Sequence, residues 1–210
     1  MDTIAVLLET FPLYSEDLGI DLNKPSGRFK WFLASLLFGA RISEQIAATA
    51  YKTFELYGLD SPDKIRAAGW DELVRILDEG GYVRYDFSTA TKLLEIMHAL
   101  TERYGTLEEL YEGAADTKEL EKRLQAFKGI GAVTTQIFLR ELRGVWAVQL
   151  DVSDKAAGVA KMLEIDPQDF TGDELARLET ALVKLALRYC KRKRCAECPV
   201  RQFCVDRSRS

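Results

Sequence analysis

The 210-residue sequence contains no long apolar run. A membrane-spanning helix needs roughly 20 consecutive apolar residues, so no segment is predicted to cross a bilayer. Residues 1–4 carry no basic group ahead of the short apolar stretch, so no secretory signal is predicted and a reducing cytoplasm is the expected location. Hydrophobic residues still make up 47% of the chain, which is enough to form a core and excludes intrinsic disorder.

Positive charge is also scarce, because 29 Lys and Arg face 33 Asp and Glu for a net charge of -4. This balance argues against a nucleic-acid binder, since phosphate contacts normally come from a basic surface. The distribution is uneven, however, and residues 188–210 hold eight basic and two acidic residues. A basic edge on an acidic body is one interpretation of this asymmetry, and a solvated charged tail is the other.

Strand-like alternation is rare, and apolar residues recur three and four positions apart, which predicts an all-α protein. No Pro/Gly/Ser-rich linker interrupts the chain, so any two domains are expected to pack closely. A short helix is predicted to begin at residue 62. The other predicted helices span residues 29–38, 43–56, 71–79, 87–104, 107–111, 117–126, 133–142, 153–163 and 173–189.

Cysteine is confined to the last 21 residues, in the pattern Cys-x4-Cys-x2-Cys-x5-Cys at Cys190, Cys195, Cys198 and Cys204. A zinc ribbon normally uses two Cys-x2-Cys pairs, and only one such pair is present. Short, unequal spacers with Pro199 after the third cysteine favour a [4Fe–4S] cluster, with zinc and disulfides as the alternatives. The first spacer holds four cations that such a loop could place on phosphates, namely Lys191, Arg192, Lys193 and Arg194.

A second motif reads Phe-Lys-Gly-Ile-Gly-Ala-Val-Thr at residues 127–134. Gly129 and Gly131 permit a tight turn with positive φ and leave room for a ligand, and Ile130 can anchor the turn in the core. Amides at the start of the following helix would then face an anion. This pattern is typical of a helix-hairpin-helix that binds DNA phosphate, and an ordinary turn between helices is the alternative.

Together, the Gly129-Ile130-Gly131 hairpin, Asp151 and the terminal cysteines resemble the endonuclease III branch of the helix-hairpin-helix DNA glycosylases. The resemblance extends over most of the chain, about residues 29–204. It implies a six-helix domain, residues 27–147, and a second helical domain from residues 1–26 plus 148–210, with a DNA-binding cleft between them. It also implies a structural [4Fe–4S] cluster and a monomeric, nucleoid-associated protein. The implied partner is double-stranded DNA whose damaged or mismatched base is flipped out of the duplex.

The resemblance also assigns roles to single residues. Lyase-competent relatives carry Gly-x-Gly-x-Lys-Thr, and here Val133 stands at the lysine position before Thr134. Valine cannot form a Schiff base, so a monofunctional glycosylase without AP-lyase activity is expected. Asp151 is the implied catalytic carboxylate, and capping of the next helix is its structural alternative. Asp154 stands where relatives carry histidine and is a second candidate for the carboxylate.

Other assignments stay open at this level. Arg41 is a candidate wedge for the gap left by the flipped base, because Ala40 replaces the relatives' glutamine; a surface ion pair is the alternative. A DNA-binding paralogue without excision activity would retain the same scaffold. A bifunctional glycosylase and lyase would need a relocated amine, for which Lys128 and Lys155 are the nearest lysines in the sequence. The hairpin residues expected to contact DNA are Gly129, Ile130, Gly131, Val133 and Thr134.

Overall fold

The computed structural model describes residues 2–206 of the chain. This part of the chain contains eleven α-helices and no strand, so the predicted all-α fold is confirmed. None of these helices has the length and apolar character needed to cross a membrane. The helices are α1 (Thr3–Thr10), α2 (Tyr14–Asp17), α3 (Pro25–Phe38), α4 (Glu44–Leu56), α5 (Pro62–Glu79), α6 (Asp86–Tyr104), α7 (Leu107–Glu112), α8 (Thr117–Gln125), α9 (Ala132–Arg140), α10 (Asp154–Met162) and α11 (Gly172–Leu185).

The chain divides into two compact units. The central unit is Leu18–Phe138, and the terminal unit is the described part of Met1–Asp17 and Leu139–Ser210. The sequence analysis places the corresponding boundaries at residues 26/27 and 147/148.

Local capping signals set several of the helix boundaries. The Ser43 hydroxyl accepts a hydrogen bond from the Ile46 amide at 3.3 Å, which begins α4 where the sequence predicts it. Asp116 accepts from the Glu119 amide at 2.8 Å and begins α8 in the same way. The Glu119 carboxylate reaches back to the Ala115 amide at 2.7 Å, one residue earlier than a capping box requires.

In the central unit, α3 is buried on nearly every face, as its apolar sequence predicts. The Trp31 indole is fully buried and donates a hydrogen bond from Nε1 to the Phe138 carbonyl at 3.0 Å. Phe32 packs edge-on against the Phe138 ring with a centroid distance of 5.1 Å. These contacts hold the C-terminal half of α9 against α3.

In the terminal unit, the core is formed by α1, α10 and α11, with Leu7, Val159 and Leu182 buried together. The cysteine-rich segment that follows α11 is attached to this core, because Val200 is buried and belongs to the same cluster. The segment ends with a hydrogen bond from the Val205 amide to the Met162 carbonyl at 2.9 Å. The four cysteines therefore lie on a loop that is anchored at both ends.

The predicted pair of helices within residues 62–79 is confirmed, because the backbone of α5 leaves helical geometry at Gly69, where φ is 75° and ψ is 174°. The structure differs from the helix predictions at two places. Helices α1 and α2 were not predicted. Regular α-helix stops at Leu185 rather than 189, because the chain widens into a π-helical turn over Ala186–Cys190. Such turns are frequent at functional sites.

Candidate functional site

The predicted hairpin is present between α8 and α9 of the central unit. Gly129 has φ of 90°, which favours glycine, and the Ile130 amide donates to the Phe127 carbonyl at 3.1 Å. The Ile130 side chain is buried and anchors the turn, as the sequence predicts. Gly131 does not have positive φ, so only the first glycine is required by the turn itself.

The second glycine keeps space open at the start of α9. A Cβ atom at Gly131 would meet no atom within 4 Å, whereas one at Gly129 would lie 2.7 Å from Cδ of Lys92. The Ala132 and Val133 amides have no hydrogen-bond partner among residues 2–206, and no acidic residue lies in the first turn of α9. Unpaired amides at a helix start are the groups that bind an anionic oxygen.

The remaining predicted hairpin residues separate into exposed and buried groups. The Val133 side chain is 62% exposed, which is unusual for a large aliphatic residue. Thr134 is buried, and a Cβ atom at Gly39 would lie 2.1 Å from its hydroxyl oxygen, so this threonine packs tightly against the end of α3. Ile130 and Thr134 therefore offer a ligand only their backbone, whereas Val133 offers its side chain.

Lys92 is a basic residue at the hairpin that sequence reasoning missed. Its ammonium donates to the Leu36 carbonyl at 3.1 Å, in the last turn of α3, and its aliphatic part lies beside Gly129. Burial lowers the pKa of this amine below its usual value, because desolvation disfavours the charged ammonium. The sequence offers no signal for this position, because Lys92 sits in the middle of α6 like any solvent-facing lysine.

Two turns of the central unit carry exposed arginines, the predicted wedge Arg41 and a second one, Arg84. Arg41 lies exposed in the turn between α3 and α4, and no ion pair is found for it within the described residues. The turn between α5 and α6 is anchored by Tyr82, which is fully buried and donates its hydroxyl to the Leu37 carbonyl at 2.7 Å. Arg84 stays exposed in this turn and stacks over the Tyr85 ring at 5.4 Å.

Asp151 lies exposed in the extended segment that precedes α10 in the terminal unit. The N-cap residue of α10 is Ser153, so the alternative interpretation of Asp151 as the helix cap is wrong. Asp154, the second candidate carboxylate, is the first residue of α10 and is also exposed.

The backbone on both sides of Asp151 is held by a buried ion pair. Arg143 and Glu179 are joined at 2.7 Å, and their side chains are 2% and 0% exposed. Arg143 also donates to the Leu150 carbonyl at 2.6 Å, and the Ser153 amide donates to Glu179 at 3.0 Å. Neither Arg143 nor Glu179 was identified from the sequence, where they are 36 positions apart.

The four cysteines follow α11 directly and form no disulfide. Cys190 ends the π-helical turn, and short 3-10 turns occupy Cys195–Glu197 and Arg201–Phe203. Burial, and then the neighbouring thiols, raise the pKa of Cys190. Within residues 2–206, no group of three or more His, Cys, Asp or Glu side chains is arranged to hold a metal ion. The thiols are thus close enough to influence one another without forming a closed metal site.

The predicted basic run does not behave as one group. Lys191, Arg192 and Lys193 are exposed, and no ion pair is found for them in the described part of the chain. Arg194 instead pairs with Glu197 and stacks over the Tyr189 ring at 5.8 Å. The two further basic residues of the C-terminus, Arg207 and Arg209, lie outside the described residues.

Comparison with known proteins adds a match at the level of the fold. No family model matches the sequence, and no curated protein sequence matches it either. The structure is similar to a 3-methyladenine DNA glycosylase from H. pylori, solved with 1,N6-ethenoadenine bound. The two chains share 13% identity with a TM-score of 0.54, over 92% of this chain and 99% of the other. The all-helical fold of this chain is therefore similar to the fold of that glycosylase.

Proposed function

We propose that this protein is a DNA glycosylase of base-excision repair that hydrolyses the N-glycosidic bond of a damaged or mismatched base. The observation that carries the proposal is the match of nearly the whole chain to the fold of a DNA glycosylase. The hairpin supports the proposal, because Gly131 leaves space at the start of α9 and the Ala132 and Val133 amides there have no partner among the described residues. Such amides can donate hydrogen bonds to a DNA phosphate. The proposed partner is duplex DNA, bound by a monomer.

For the chemistry, we assign the catalytic role to Asp151. Breaking the glycosidic bond builds positive charge on the sugar, and an ionised carboxylate stabilises that charge or orients the attacking water. Val133, the exposed side chain of the hairpin, has no amine and cannot attack the sugar. The proposed reaction is accordingly hydrolysis that releases a free base and leaves an intact abasic strand.

The terminal cysteines are proposed to hold a [4Fe–4S] cluster through Cys190, Cys195, Cys198 and Cys204. Four thiols on one anchored loop, none in a disulfide, are the donor set of such a cluster. When bound, the cluster would supply a rigid fold to the loop and no step of the reaction. Protein purified anaerobically should contain about four irons per chain. Equimolar zinc without iron would overturn this assignment.

The experiment that tests the function is base release from duplex oligonucleotides that carry single lesions. The similar enzyme acts on 3-methyladenine, so alkylated purines and 1,N6-ethenoadenine come first, followed by uracil, mismatched thymine and oxidised bases. The expected product is a strand that breaks only after alkali. Asp151→Asn should lose at least about 100-fold in rate while retaining DNA affinity, because the amide keeps the shape and removes the charge. Binding without base release from any lesion would favour the non-catalytic paralogue.

One observation favours a second candidate, a bifunctional glycosylase and lyase with a relocated amine. Lys128 pairs with Glu95 at 3.0 Å, and Lys155 is exposed on α10, so neither is distinguished from a surface lysine. Lys92 is different, because its amine is partly buried beside the hairpin and its pKa is lowered by burial. Covalent trapping on abasic DNA by borohydride, lost in Lys92→Met, would support this candidate.

A further inference from the structure

We propose that the buried Arg143–Glu179 pair is a positioning device that fixes the Asp151 segment. The proposal rests on the function assigned to Asp151 above. Arg143 lies after α9 and Glu179 lies in the middle of α11, and both belong to the terminal unit. Their side chains are almost fully buried and joined at 2.7 Å. Their role is exerted through the backbone that they hold.

The Arg143–Glu179 pair forms hydrogen bonds with the backbone on both sides of Asp151. Arg143 donates to the Leu150 carbonyl at 2.6 Å and to the Asp151 carbonyl at 3.5 Å, and Glu179 accepts from the Ser153 amide at 3.0 Å. Residues 148–153 form no helix, so the regular hydrogen bonds of a helix do not hold them. The position of the Asp151 backbone therefore depends on contacts from outside the segment. A displacement near 1 Å is enough to slow a reaction by up to about 100-fold.

The charge of Glu179 is needed for both contacts. A carboxylate offers two oxygens, one for the Arg143 guanidinium and one for the Ser153 amide. Glutamine offers one acceptor oxygen, and its NH2 group would face a donor. Glu179→Gln therefore releases one side of the segment while keeping the volume of the side chain.

The terminal unit provides a matched control in Glu141. This glutamate is also buried, and it accepts backbone amides of Tyr14 at 2.8 Å and Ser15 at 2.9 Å. It holds the start of α2, and its hydrogen bonds within residues 2–206 go to Tyr14, Ser15 and Thr180 rather than to residues 150–153. Glu141→Gln should thus match the loss of stability in Glu179→Gln without loosening the Asp151 segment.

The first measurement is amide hydrogen exchange over residues 148–156, which needs no enzymatic activity. Exchange at Ser153 should accelerate at least tenfold in Glu179→Gln and stay unchanged in Glu141→Gln, both measured well below their unfolding temperatures. Equal protection in wild type and Glu179→Gln would overturn the proposal. This result stands whether or not the protein releases any base.

The second measurement is the single-turnover rate of base release on the lesion that wild type accepts. Glu179→Gln should lose about 10- to 100-fold in rate with DNA affinity retained, and Glu141→Gln should keep the wild-type rate. In the Asp151→Asn background, Glu179→Gln should change the residual rate less than twofold, because it acts through that carboxylate. A wild-type rate in Glu179→Gln, or an equal loss in both backgrounds, would overturn the positioning role. No base release by wild type would overturn the proposed function instead.

Discussion

The two glycines of the hairpin can be separated experimentally, because they do different things. Gly129→Ala should destabilise the protein. Alanine at φ of 90° costs about 1–2 kcal/mol, and the new Cβ would lie 2.7 Å from Cδ of Lys92. If Lys92 shifts, its hydrogen bond to the Leu36 carbonyl is lost, which costs about 1 kcal/mol more. The sum of about 2–3 kcal/mol corresponds to a fall of roughly 5–10 °C in the unfolding temperature.

Gly131→Ala should behave in the opposite way. Its φ is not positive and nothing lies within 4 Å of the added Cβ, so stability should stay equal or rise by about 0.4–1 kcal/mol. The same methyl group would fill open space at the residue that directly precedes the unpaired amides of α9, where we expect it to obstruct a bound phosphate. Loss of one charge-assisted hydrogen bond, about 1.5 kcal/mol, would weaken DNA binding roughly tenfold.

Thermal unfolding followed by circular dichroism, and fluorescence anisotropy with a duplex carrying an abasic-site analogue, measure the two effects. The expected result is a crossed pattern, in which Gly129→Ala lowers stability and Gly131→Ala lowers affinity. Full stability of Gly129→Ala would refute the interpretation of the turn. Unchanged affinity of Gly131→Ala would show that the start of α9 does not receive the phosphate.

Three further predictions concern the basic residues and the cysteine-rich loop. Replacing Lys191, Arg192 and Lys193 together by alanine should reduce the slope of log affinity against log salt concentration for DNA binding by about 3. Arg194→Ala should change this slope by less than about 1, because Arg194 is already paired with Glu197. Equal slopes in all variants would show that the run is only a solvated surface. Lys92→Met should release base at the wild-type rate, because the amine is expected only to cap the end of α3, and a loss of base release would contradict this. Removing the iron with a chelator should loosen the terminal loop, seen as faster hydrogen exchange over residues 190–204, and unchanged exchange would argue against a structural cluster.

Much of the fold could be predicted because its signals are local. The N-cap of α4 is Ser43 and that of α8 is Asp116. Each capping side chain lies within three residues of the amide that it binds. The hairpin is local as well, since Gly129 alone meets the backbone requirement of the turn and the apolar Ile130 anchors it. The two helices predicted within residues 62–79 are also present and separated at Gly69, and the first is capped by Ser61 with a proline in its first turn.

The candidate site could be predicted only in part, because burial and long-range pairing decide what its charged residues do. Lys92 and Lys128 both lie near the hairpin, yet the first is partly buried against a carbonyl and the second is an exposed partner of Glu95. Lysine has the same charge in both settings, and only the surroundings lower the pKa of Lys92. Arg143 and Glu179 meet across 36 residues of sequence, so neither neighbourhood indicates an ion pair. The resemblance to known glycosylases points to Asp151 in the sequence, whereas Arg143 and Glu179, which hold the backbone around it, come together only when the chain is folded.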